Sequence, residues 1–494
     1  MVERKQGIAQ YEDVDDKYLE QRRLRKHANW VLLWALGVGA VISGDFFGWN
    51  FGLAVGGFWG LAVATVLMAV MYLCMVFCIA ELSAALPHAG GFYSFVRNAL
   101  GPTMGFVCGV TDTIEYIITP AVIVVGIGGY LNALFFPTNE AAQWWFAPVW
   151  WLLAYGLFVA INIRGVALTL RVGLVITVLA TLVLVVFYTS AIVSGSFDTR
   201  LLFDIQPEAG QSATWLPFGL GGVFAAMPFA IWFYLAIEQL PLAAEETHDV
   251  ANDMPRALLW GIVTLLVLSV LTLVLNTGVS GAAAIGASNA PLADGFQAVF
   301  GPGATTVILT LVGLTGLVAS FHTIIYAYGR VLFALSRAGY FPRWISPVNR
   351  HHTPQRALVL GAFIGLACAL LIHLFETDYV GAALLNMAVF GAVISYALVM
   401  ISYVVLKIKR PDLPRPYLSP LGIGGAVIGI VLSLFALLAC FAVREYWPAV
   451  GGTAIFLFLC IVYYLVYSRR FLVAQAPEEE VALIAQAEAE LAHK

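Results

Sequence analysis

No lysine occurs between Lys26 and Lys407, and over that stretch the remaining charges fall mostly at the ends of long apolar runs. Segments so poor in the most strongly hydrated side chains are built to lie in lipid. With 494 residues, 61% of them hydrophobic and only 11% charged, the chain reads as a polytopic membrane protein.

Runs of about 20 apolar residues mark spans. They predict an all-α fold of twelve transmembrane helices near 30–56, 59–80, 102–134, 144–161, 168–193, 214–243, 257–279, 303–336, 356–374, 380–406, 421–442 and 448–468. With the N-terminus inside, 23 of the 25 lysines and arginines fall on the inner side; only Arg200 and Arg444 are outside. That bias predicts a multi-pass protein of the plasma (cytoplasmic) membrane with both termini cytoplasmic: an arm, 1–29, and a tail, 471–494. The polar start shows no cleavable apolar leader, so the first span is expected to direct insertion. The tail, from Ala476 onward, combines a proline, early acids and apolar residues at helical spacing, which predicts either a short helix or a solvated tail.

The net charge of -4 is spread over separate loops and points to no nucleic-acid partner. Cys74, Cys78, Cys108, Cys368, Cys440 and Cys460 lie in apolar runs without metal-ligand spacing and read as buried thiols. No HExxH, GxSxG or phosphate-loop pattern is found, so neither an enzyme, a metal nor a cofactor is expected.

Two spans are interrupted. The first holds Ser43, Gly44, Asp45 and Gly48; the sixth holds Gly219, Gly221, Gly222, Pro228, Glu238 and Pro241 beside Trp232, Phe233 and Tyr234. Unwound backbone is tolerated at membrane depth only where it lines a cavity or is buried in protein. The breaks lie five helices apart. This predicts two five-helix repeats of opposite orientation, 30–193 and 214–406, with helices eleven and twelve (421–468) appended and a binding site at the midplane.

The stretches "LGVGAVISGDFFGWNFGL" (36–53), "ELSAALPHAGGFYSFVRNALGPTMGF" (81–106), "NIRGVALTLRVG" (162–173), "EQLPLAAEETHDVANDMPRAL" (238–258) and "YGRVLFALSRAGYFP" (328–342) resemble the amino acid-polyamine-organocation transporters, and "ISGDFF" most resembles the ethanolamine permease group. The resemblance implies the inverted-repeat (LeuT-like) fold, alternating access, and a pocket between the broken helices one and six. Amino-acid members usually carry a G-x-G motif at the first break, whose backbone N–H groups bind the substrate carboxylate. Here its positions fall on Ser43, Gly44 and Asp45, so an acid replaces the second glycine.

A carboxylate there repels an acid and attracts an ammonium, by about 4 kcal/mol at 4 Å in an effective dielectric near 20 before desolvation. Import of ethanolamine or a similar small primary amine is therefore expected. Capping of the following half-helix by Asp45 is the structural alternative. Glu238 reads as substrate contact, proton site or partner of unwound backbone. Asp112 and Glu115 share one face of helix three and face either the pocket or an interhelical partner. Trp49, Tyr116, Trp232, Phe233 and Tyr234 are candidates for an aromatic cage around the ammonium. Glu81, Arg97, Glu245, Glu246 and Arg256 suit ion pairs at an inner gate, and Ser320, His322 and Thr323 lie on helix eight. For coupling, a proton or the membrane potential ranks above sodium, for which Ser320 or Thr323 would supply oxygens. An amino-acid or polyamine carrier is the rival reading, and a transport-like sensor the remote one.

Overall fold

The computed structural model describes residues 4–136, 138–212, 214–301, 306–375 and 378–479; the tail from residue 480, where most of the expected terminal helix falls, lies outside them. The chain is mostly helical. Its principal helices are α1 (Trp30–Val41), α2 (Phe51–Ala85), α3 (Pro102–Phe135), α4 (Glu140–Ile163), α5 (Val166–Val193), α6 (Gly219–Ala230), α7 (Val250–Leu271), α8 (Thr306–Arg337), α9 (Gln355–Leu374), α10 (Asp378–Lys409), α11 (Gly422–Ala439) and α12 (Trp447–Val466). Among the described residues, eleven helical segments are long and apolar enough to cross a membrane, and Trp30–Phe46 is a shorter apolar one.

The first expected span, 30–56, ends early. After Val41 a single turn, Ser43–Phe46, gives way to extended Phe47 (φ -164°) and to Gly48 (φ 99°), a left-handed conformation that glycine adopts without strain. Residues 51–56 belong instead to α2, which bends at Gly57 (φ 66°), the gap between the first two expected spans. The sixth span breaks between its two prolines, Pro228 and Pro241, rather than at either. Pro228 stays inside α6, and the helix unwinds through a tight turn, Ile231–Phe233, to Ala236. Ala236 has φ 83°, an uncommon conformation for a residue with a side chain, and a 3-10 helix, Ile237–Glu246, follows.

α1 packs on α5, α7 and α8, while α2 runs along α6, and α3 lies against α8 and α10. This packing places the two breaks side by side inside the bundle. Large buried aromatics fill the space around them, among them Trp49, Tyr72, Tyr234 and Tyr396.

One element corrects the all-α expectation. β1 (Arg4–Gln6) turns at Gly7 (φ 59°) and pairs antiparallel with β2 (Ala9–Glu12), which pairs in parallel with β3 (Leu472–Val473). Both ends of the described chain thus meet at one end of the bundle, the terminal face. The N-terminal arm is fastened there: Arg22 donates to Ser346 Oγ at 2.8 Å and Val14 N–H to the Gln475 side chain at 3.0 Å.

Candidate functional site

Gly44 sets the distance between the breaks. A Cβ added there would lie 1.9 Å from the Trp232 carbonyl oxygen, so only a residue without a side chain lets the two unwound segments touch. The Trp232 ring covers Gly48, where an added Cβ would meet it at 3.3 Å, and Phe233 stacks on Trp49 with ring centroids 5.4 Å apart. Two of the residues expected to cage an ammonium, Trp232 and Phe233, therefore flank the loop that carries Asp45. Asn50 pins that loop: its Oδ1 accepts from Gly48 N–H (3.1 Å), and its Nδ2 donates to the carbonyls of Ile285 (2.8 Å) and Ser288 (2.9 Å).

Asp45 is fully buried. It does not cap the helix. Oδ1 accepts a hydrogen bond from Thr272 Oγ1 at 3.0 Å, and Oδ2 has no partner. Thr272 opens a π-helical turn, Thr272–Asn276, at the end of α7, and its hydroxyl also lies 2.6 Å from Tyr188 Oη on α5. Such turns recur at functional sites because the extra residue shifts the side chains out of α register. Neither Thr272 nor Tyr188 stands out in the sequence; a threonine or tyrosine in an apolar run carries no local signal.

The backbone freed at the first break is largely paired. Ser43 N–H donates to Ser320 Oγ (3.1 Å), which donates to Gly39 C=O (3.0 Å); within α1, Thr177 Oγ1 adds a bond to Ala35 C=O (3.0 Å) and Gln239 Nε2 one to Leu36 C=O (2.9 Å). Ser320 thus serves the break itself. Thr323 bonds back to its own helix, and His322 Nε2 lies 2.9 Å from Thr169 C=O, tying α8 to α5.

A second acidic group occupies the core beside the other break. Glu238 Oε1 accepts from Ala236 N–H at 3.0 Å and from the Tyr396 hydroxyl, which in turn accepts from Tyr72 Oη at 3.0 Å. Glu115 on α3 faces Glu238, and Asp112, one turn away, hydrogen-bonds Ser395 on α10. Tyr116 is buried next to both glutamates. The Glu115 and Glu238 carboxyls lie within hydrogen-bonding reach of each other, and apart from that contact both oxygens of Glu115 and Oε2 of Glu238 are buried without a donor. Glu238 is thus at least the partner of unwound backbone, and Asp112 at least an interhelical tie.

The residues expected at a gate lie at the terminal face, with partners the sequence did not indicate. Glu81 pairs with Lys407 and with Arg415 Nε (3.0 Å) and accepts from Tyr403 Oη (2.9 Å). Arg97 pairs with Glu479 and donates to Tyr11, all buried. Arg337 joins Glu245 to Glu478, and Arg330 pairs with Glu246 at 2.8 Å. Arg256 instead lies over the Trp30 ring, 4.0 Å from its centroid.

A lipid-embedded bundle whose two broken helices meet around buried carboxylates has the features of a membrane carrier rather than an enzyme. The amino acid permease family matches residues 29–467, and the chain belongs to it, within the amino acid-polyamine-organocation superfamily of secondary transporters. The chain is 28% identical to an uncharacterized transporter of Rhizobium meliloti over 83% of its length and 85% of the relative's. It is 27% identical to a branched-chain amino acid permease of Bacillus subtilis over 91% and 94%. It is also 23% identical to a D-serine/D-alanine/glycine transporter of Escherichia coli over 70% and 72%.

Proposed function

We propose that the protein imports a small primary amine, ethanolamine first among candidates, by alternating access across the plasma membrane, with the ammonium held by Asp45. The observation that carries this reading is the Asp45 carboxylate: fully buried at a helix break, with one oxygen hydrogen-bonded to Thr272 and the other unpartnered. A buried carboxylate lacking a counter-charge is costly, and an ammonium donating to Oδ2 supplies that charge. Trp232 and Tyr234 border the same loop and offer aromatic faces to a cation, a contact worth about 0.5 to 2 kcal/mol.

In this reading α1–α5 and α6–α10 form the two inverted halves, which the matching breaks in α1 and α6 support. The terminal-face ion pairs form the inner gate, both termini are cytoplasmic, and Trp30–Phe46 counts as the twelfth crossing. A second reading, an amino-acid carrier, is favoured by the names of the relatives; Asp45 opposes it by repelling the substrate carboxylate. Labelled ethanolamine uptake into proteoliposomes, with alanine, leucine and putrescine as competitors, separates the two. Saturable uptake resisted only by amines without an acid group, and lost in Asp45→Asn, supports the amine. Uptake of leucine or alanine in its place, or unchanged ethanolamine affinity in Asp45→Asn, overturns it.

A further inference from the structure

The hydroxyls behind Asp45 form a chain that ends on a backbone carbonyl. Thr272 Oγ1 lies 3.0 Å from Asp45 Oδ1, Tyr188 Oη lies 2.6 Å from Thr272 Oγ1, and Tyr188 Oη lies 3.2 Å from the carbonyl of Leu268. Each hydroxyl has one proton to give, so the chain has two complete arrangements.

With Asp45 ionised, Tyr188 donates to Thr272 and Thr272 donates to Oδ1, while the Leu268 carbonyl keeps the helix N–H of Thr272. With Asp45 protonated on Oδ1, the two side-chain bonds reverse and a third forms: Asp45 donates to Thr272, Thr272 to Tyr188, and Tyr188 to Leu268, whose carbonyl has a second lone pair to offer. No heavy atom moves and no hydroxyl proton is left unbonded in either arrangement. Its surroundings leave the choice to Asp45 itself: among the described residues, the titratable side chains facing it are the phenols of Tyr188, within the chain on α5, and Tyr234, outside it at the second break, both neutral at physiological pH.

The unpartnered Oδ2 distinguishes the two states. In the ionised arrangement it is a buried anionic oxygen that calls for a cation. In the protonated one it is the carbonyl oxygen of a neutral acid, which burial penalises far less. We propose, resting on the assignment of the ammonium to Asp45, that a proton and the amine occupy Asp45 in alternation. Arrival of R–NH3+ displaces the Oδ1 proton to water; departure of R–NH3+ is followed by uptake of one proton from water, and the carrier returns neutral. Each cycle exchanges one ammonium for one proton, and the charge moved across the membrane is zero. Thr272 and Tyr188 are positioning residues for this exchange.

The test uses the full-length protein in proteoliposomes enclosing a pH-sensitive dye, with labelled ethanolamine outside and protein-free vesicles as the baseline. The expected result is lumenal alkalinisation matching ethanolamine entry one for one. Uptake should be accelerated by an acid lumen and unmoved by a potassium-diffusion potential. The apparent KM should rise about tenfold per pH unit once the medium is acid enough to protonate Asp45. Thr272→Val should flatten or displace that pH profile, and Thr272→Ser should restore it; a merely structural threonine would change uptake without moving the profile. Asp45-dependent uptake that is accelerated by an inside-negative potential, without alkalinisation, would overturn the exchange and leave the amine assignment standing. Undiminished affinity in Asp45→Asn, or no ethanolamine uptake by folded wild-type protein, would overturn both.

Discussion

Gly44 and the Trp232 carbonyl fix how closely the two broken helices approach, and neither can yield. Gly44→Ala would drive a methyl group into a backbone oxygen. Its expected cost is at least the 1 to 3 kcal/mol typical of overpacking, about what a thermal-unfolding assay in detergent resolves, together with loss of uptake. Glu238 is open to a finer test. Its Oε1 serves the N–H of Ala236, which is held at φ 83°. Glu238→Gln keeps an acceptor and should stay folded, whereas Glu238→Ala strands a buried donor and should lose about 1 to 3 kcal/mol in the same assay. An unaltered pH profile of uptake in Glu238→Gln would remove it as a proton site. Asp45, Gly44 and Glu238 were legible in the sequence because acids and glycines are anomalies in lipid. Thr272, Tyr188 and Ser320 were not: their roles arise from a π-turn and from helix packing, which leave no trace in local composition.

At the level of elements, the break in α1 was readable in place, at residues 43–48, from clustered glycines and an acid, whereas the position of the break in α6 was not. Pro228 remains inside α6, and the chain unwinds after it, where Ala236 and Glu238 close a turn. The terminal sheet was missed because strands of two to four residues carry too little pattern to compete with the helical signal around them. That sheet and two ion-pair groups dock residues 472–479 onto the helix ends. Removing one partner of the buried Arg97–Glu479 pair, as in Glu479→Ala, strands a charge and should destabilise by about 3 to 5 kcal/mol. Glu479→Ala combined with Arg97→Met should cost less than the single change, as thermal unfolding would show. Glu478 adds a pH dependence. Burial pushes its carboxyl up to about 7, against the pull of Arg337 and with Glu245 adding to the rise; Tyr93 and Tyr18 also face it. Docked Glu478 therefore holds a proton that the released residue gives up near its ordinary value. The segment should dock most firmly below about pH 4.5, loosen as pH rises through about 7, and change little beyond. Hydrogen exchange of residues 472–479 at pH 5.5 and 8 should show this, and Glu478→Gln should reduce the difference, leaving the part due to Glu479, whose carboxyl burial also pushes up.

For the whole molecule, pairing of β2 with β3 ties the sidedness of the two ends together. Ends that share one face require an even number of crossings. The eleven long apolar segments among the described residues would by themselves leave them on opposite faces, which supports the proposal that the broken Trp30–Phe46 segment is a twelfth crossing. The same parity, with arginine concentrated on one side, supports the proposed orientation, in which Arg200, between α5 and α6, is expected outside and Arg350, between α8 and α9, inside. Single-cysteine proteins carrying Arg200→Cys or Arg350→Cys in a background without the six native thiols test this with a membrane-impermeant maleimide on intact cells. Arg200→Cys should label directly and Arg350→Cys only after permeabilisation. The reverse pattern would invert the carrier. Labelling of both from outside would break the parity on which the count of twelve rests, because three helices separate the two positions and an odd number must place them on opposite sides.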